Sequence, residues 1–242
     1  MTRTVDRREY APVPPDDLLE RALAYARGCV AAVPVAAGPD WPAAPTPCAG
    51  WDLGALLDHL NDSLAALREG IGGGHIAPAR TAADPVPPAE PVAPTDPVTG
   101  LDNPVTDPVL GFRDRASALL GAWAALSGSP GPAGASGAPR APRTVLVADR
   151  PLAATLVAAV GAVEIAVHGW DIGRACGLRR PIPPGLAGAL LPVAHCFVED
   201  ADRGQLFAAP VPVPPDACPG DRLVAFLGRS PGLPGGVPGT GD

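Results

Sequence analysis

Six leucines (Leu53, Leu56, Leu57, Leu60, Leu64 and Leu67) recur at intervals of three and four residues. That spacing predicts a helix from Asp52 to about Glu69 with one continuous apolar stripe. Such a stripe must be buried against another apolar surface, so this segment already demands a helical partner. Asp52 stands where a side chain can cap the free amides of the first turn.

Three more segments supply candidate partners. Residues 16–33 place Leu18, Leu19, Ala22, Leu23 and Ala26 at helical spacing, after Pro14 and Pro15, with Asp16 or Asp17 as cap. Residues 109–126 carry Leu110, Phe112, Leu119, Leu120 and Trp123. Residues 151–176 are apolar almost throughout, with Pro151 in the first turn and Gly177 as a left-handed stop. Leu156, Val160, Val163 and Val167 mark this last helix as largely buried. Weaker signals follow: TVLVAD as a short strand, a helical segment at 186–202 and a tail helix, DRLVAFLG.

Two stretches cannot join these helices. Residues 70–108 and 127–143 are dense in proline and glycine, which removes amide donors and disfavours helix interiors. Neither flank of either stretch makes a complete core, so they are inserts into one domain rather than linkers. The expected organisation is an N-terminal tail at 1–15, a single helical domain at 16–230 and a C-terminal tail at 231–242. The fold class is all-α: a four-helix bundle with proline-rich inserts and a small C-terminal extension. The first insert is placed over the mouth of a site.

Charge narrows the function. The net charge is -7 and no basic stripe appears, which argues against nucleic acid as a partner. The start, MTRTVDRREYAPVPPDD, lacks the apolar core of a secretory leader. The longest apolar run, Pro151 to Val167, is short for a membrane span and contains Glu164. A cytoplasmic protein with no membrane partner is expected, as a monomer or homodimer. Five cysteines without a C-x-x-C pair argue against a disulfide framework or thiolate zinc site.

Glu164 and His168 lie four residues apart inside the apolar helix, hence on one face. A buried carboxylate without a partner would cost several kcal/mol, on the order of the penalty for any unpaired buried polar group. Two readings meet that cost. The pair is either hydrogen-bonded to each other or a set of ligands for one metal, since imidazole and carboxylate both suit zinc. Of the four histidines, His59 also sits on a strongly periodic helix, beside its buried stripe. His75 lies in the low-complexity region, and His195 is assigned to core or surface. His59, Glu164 and His168 would form a three-ligand set inside a bundle.

Two motifs carry a family resemblance. Thr46-Pro47-Cys48-Ala49-Gly50-Trp51-Asp52, continued by LGALLDHL, resembles the first signature of the actinobacterial metal-binding DinB-like proteins. These include the mycothiol-dependent maleylpyruvate isomerases. Val163 to Asp171, reading VEIAVHGWD, is similar to the family's second signature, and PVPVPPDACPGDRLVAFLGRSP is similar to its usual close. The resemblance implies a DinB-like four-helix bundle holding one divalent metal, generally zinc, through His59, Glu164 and His168. Trp51, Trp170 and Asp171 would support that site. Asp171, one turn from His168, is read either as the acceptor that orients it or as an exposed carboxylate. Cys48 is assigned to packing.

The activity so implied is that of a mycothiol-using S-transferase or isomerase acting on an electrophilic small molecule, such as a natural-product intermediate. A metal-dependent hydrolase and a non-catalytic binding or resistance protein are the alternatives. The family's catalytic arginine has no clear match; Arg113, Arg115 and Arg174 are the candidates, and the catalytic residue stays unassigned.

Overall fold

The computed structural model describes residues 17–36, 40–76, 107–128, 144–204 and 206–232. Its elements in order are α1 (Leu18–Val30), α2 (Val33–Ala36), α3 (Leu53–Gly73), β1 (His75–Ile76), α4 (Pro108–Gly128), β2 (Thr144–Val147), β3 (Arg150–Ala153), α5 (Ala154–Ala175), α6 (Pro184–Phe197) and α7 (Pro219–Phe226). Single 3-10 turns lie at Trp41–Ala43 and Asp200–Asp202. The chain is mostly helical, as a DinB-like helical domain requires. The expected tail at 1–15, residues 233–242 of the C-terminal one, and the parts of both inserts at 77–106 and 129–143 lie outside the described residues.

The leucine stripe accounts for α3. Leu53, Leu56, Leu57, Leu60 and Leu64 are wholly buried, and Asp52 caps the helix by accepting from the Ala55 amide at 2.8 Å. The stripe packs on α4 and α5, and α5 also packs on α1. One continuous apolar core joins these four helices to α6 and α7. Asn61 ties α3 to α4, donating to the Leu57 and Pro108 carbonyls at 3.0 Å each. Among the described residues, only α5 is long and apolar enough to cross a membrane, and it is mostly buried inside the protein.

The structure corrects several boundaries. Helix α3 runs four residues past Glu69, ending where Gly74 takes a left-handed φ of 78°. Residues 70–76 therefore belong to the helix and β1, not to an insert. Pro151 does not open α5: residues 150–153 pair antiparallel with β2, and β1 pairs parallel with β2 on its other side. Pro151 suits β3 because that strand is an edge. Ala148 and Asp149 both have positive φ, the pattern of a tight hairpin turn. Asp17 makes no side-chain cap on α1, and Asp16 is outside the described residues. In the 186–202 segment the α-helix ends at Phe197, and a 3-10 turn follows at Asp200–Asp202. Leu156 and Val160 are not core residues; Leu156 is 44% exposed and both line a cavity.

The contact between α1 and α5 is set by a missing side chain. A Cβ on Gly169 would lie 2.9 Å from both Cα and Cβ of Ala26, closer than carbon atoms pack. Gly169→Ala should therefore push the helices apart and destabilise the protein by roughly 1–3 kcal/mol, as overpacked cores do. Denaturant titration checks this. A variant as stable as the parent would mean that the two helices can separate freely.

Candidate metal centre

His59 projects from α3 toward α5, one residue before the buried Leu60. Its Nε2 lies 2.7 Å from Glu164 Oε1. His168, one turn beyond Glu164 on α5, brings its own Nε2 to 3.6 Å from the same oxygen. The two imidazole rings meet edge to face, 5.2 Å between centroids. One potential ligand atom from each of the three lies within 4.8 Å of those of the other two. The sequence-expected triad is thus brought together by two helices whose apolar faces had to pack.

Glu164 is less enclosed than its apolar neighbours suggest: its side chain is 37% exposed, toward a cavity. Ser63, one turn after His59 on α3, donates to Glu164 Oε1 at 3.2 Å. Burial works against the charge on Glu164. The hydrogen bonds from His168 and His59 outweigh it and hold the carboxyl well below the usual carboxylate range.

Behind His168 lies a second layer. Asp171 is fully buried, which removes the exposed reading, and its Oδ2 is 3.2 Å from His168 Nδ1. Arg229, from the loop after α7, donates to the same oxygen at 3.2 Å and to Cys48 Sγ at 3.3 Å. Burial disfavours the imidazolium of His168, but its bonds to Asp171 and Glu164 prevail and push its pKa up to about 9. Burial pushes the Cys48 thiol up despite the Arg229 charge beside it. Cys48 packs against the core, as assigned, and also forms a second close set with His168 and Asp171.

The supporting tryptophans divide. Trp51 packs edge-on against His59, with 4.6 Å between ring centroids. Trp170 is buried on α5, and its ring is faced by the Arg174 guanidinium at 5.4 Å. Of the candidate arginines, Arg115 bonds Asn61 and Arg174 bonds the Gly232 carbonyl, while Arg113 is exposed. Among the described residues, the arginine that reaches this site is Arg229, which the sequence reading missed. Ser63 was missed too, although its i+4 spacing from His59 marks the same helix face. Arg229 stands in the closing motif PVPVPPDACPGDRLVAFLGRSP, but no local spacing ties it to Asp171, 58 residues away.

The donor chemistry fits a divalent cation. Two imidazole nitrogens and one carboxylate oxygen converge, and Asp171 can accept from His168 Nδ1 and so leave Nε2 for the metal. The three atoms would supply the ligands and leave a coordination position for a further molecule.

Residues 19–173 match the family described as the mycothiol maleylpyruvate isomerase N-terminal domain. The chain is also similar to two uncharacterized proteins of Mycobacterium tuberculosis, from strains H37Rv and CDC 1551. Each is 26% identical over 189 residues, covering 77% of this chain and 84% of the relative. No solved structure gives a significant match.

The raised His168 pKa fixes a pH dependence for metal-free protein. A group whose pKa rises on folding stabilises fully below its ordinary value, here 6.5, and loses that contribution as pH climbs through about 9. Metal-free protein should lose at most roughly 3 kcal/mol between those limits. Asp171→Asn should shrink the loss by removing one of the two partners that hold the proton. Unfolding midpoints measured from pH 6 to 10 in the presence of a chelator test this; an equal slope in the variant would exclude Asp171 as the cause.

Proposed function

Since the chain belongs to the mycothiol maleylpyruvate isomerase N-terminal domain family, we propose that it is a metal-dependent, mycothiol-using S-transferase or isomerase acting on an electrophilic small molecule. One observation carries this reading: His59, Glu164 and His168 converge, and Glu164 also lines an apolar cavity. Zinc is the metal that best suits two imidazoles and a carboxylate here. Its partners are a thiol and a small molecule, in the cytoplasm, and neither nucleic acid nor a membrane is required.

Each residue has a physical task. His59 and His168 would each give one Nε2 lone pair, and Glu164 one carboxylate oxygen. Asp171 fixes the His168 tautomer and ring plane, and Arg229 balances the Asp171 charge away from water. Ser63 fixes the carboxylate rotamer, and Trp51 covers one face of His59. A bound divalent cation supplies Lewis acidity that lets a thiol lose its proton near neutral pH.

The reaction class then follows from thiol chemistry. Sulfur bonds to the β-carbon of an activated double bond, the π bond breaks and a proton ends on the α-carbon, which gives a conjugate. If instead the former double bond rotates and sulfur leaves, the thiol is returned and the alkene has changed geometry. Both outcomes need the electrophile held still beside the three ligands, which makes positioning the main contribution of the fold.

Elemental analysis of purified protein tests the premise. About one zinc or similar ion per chain is expected, lost in the Glu164→Ala, His168→Ala double variant, with conjugation strictly dependent on mycothiol. A folded, metal-free protein would reduce Glu164 and its histidines to a satisfied polar contact. A metal-loaded protein that hydrolyses its substrate without thiol would move the reading to a hydrolase.

A further inference from the structure

The cavity beside Glu164 has a volume of about 490 Å³, the size of a small-molecule site. Its walls come from α3, α5, α6 and all three strands: Leu67, Ile76, Val147, Leu156, Val160 and Phe197 among them. The polar lining groups among the described residues are Ser63, Glu164 and the Cys196 thiol. Ser63 is committed to Glu164, so the hydrogen bonding is spent at one end.

Two further features show that the hollow is built. Gly161 lets Leu67 lie against α5, because a Cβ there would come within 2.6 Å of Leu67 Cδ1. Leu152 and Leu156 line the cavity while 36% and 44% exposed, so covering them with a ligand removes apolar surface from water. A carboxylate placed among these side chains would lose its hydration and gain no hydrogen bond.

We infer that this cavity holds the body of the electrophile, which is a neutral, hydrocarbon-rich molecule whose reactive carbon faces Glu164 and whose tail lies between α5, α6 and the strands. The inference rests on the thiol-transfer reading for the chemistry at the mouth, but not for the binding. The substrate is then an alkyl or aryl α,β-unsaturated carbonyl rather than a dicarboxylate. The added thiol balances the step: one C–S and one C–H bond form, one S–H and one π bond break.

Two measurements on the full-length protein decide it. The first titrates the neutral fluorophore N-phenyl-1-naphthylamine into wild type, Ala66→Phe and Val160→Phe. Both positions are half-buried on the cavity wall, so the added rings enter the hollow, and two variants guard against one failing to fold. Binding about tenfold weaker in each folded variant is expected, equivalent to ~1.4 kcal/mol. No binding to wild type, or binding unchanged in both folded variants, overturns the inference. The second compares protein-dependent addition of mycothiol to trans-2-octenal and to its ω-carboxylate counterpart. A kcat/KM at least about tenfold higher for the aldehyde without the carboxylate, with the ratio falling toward one in Val160→Phe, supports it. Equal rates, or preference for the carboxylate, overturn it while leaving thiol transfer standing. If neither aldehyde reacts while the fluorophore still distinguishes the variants, thiol transfer fails and the apolar site stands.

Discussion

Helix α5 has almost no polar side to offer water, and the rest of the fold is arranged around that fact. A helix that is apolar nearly all round must be enclosed. Here α1, α3 and α6 enclose it, helped by the strands β2 and β3 at its start. Gly169 and Ala26 allow α1 to come close, and the leucine stripe of α3 covers another side. With the surroundings so apolar, the few polar groups on α5 have little choice of partner. Glu164, His168 and Asp171 turn to one another and to His59 and Arg229.

Those five residues alternate in charge character, carboxylate against imidazole or guanidinium, from the cavity mouth to the interior. In a low-dielectric setting such an array is held firmly, because removing one member leaves another buried and unpaired. The array is also ordered by depth. Glu164 meets the cavity, His168 stands behind it, and Asp171 with Arg229 lies wholly inside. Protons and ligands therefore have access at one end, while the other end holds the geometry. That division suits a centre whose ligands must stay in place as small molecules come and go.

The cavity arises from the same packing. Gly161 and Leu67 shape its floor, and the β2–β3 hairpin, which replaces the first expected turn of α5, raises one wall. Val160 and Leu156 continue the helical repeat of the core residues, but they face this hollow instead of a neighbouring helix. The same stripe on α5 thus serves the core at one level and lines the cavity at another.

The sequence by itself determined the helices and the three-residue cluster. Periods of three and four place the α3 stripe, and the i, i+4 relation places Glu164 with His168, because both are local consequences of helix geometry. The same α3 periodicity puts His59 beside the buried stripe, and the two motifs, VEIAVHGWD and the one around Trp51, add the family. Only the tertiary structure decided the rest. Residues 150–153 became a strand because β2 offered unpaired backbone groups, which no local propensity records. Leu156 faces a cavity, Asp171 is buried and Arg229 reaches it across 58 residues. Each depends on where separate helices come to lie against one another. Sequence spacing specifies which side chains share a face of one helix; it does not specify what that face will meet.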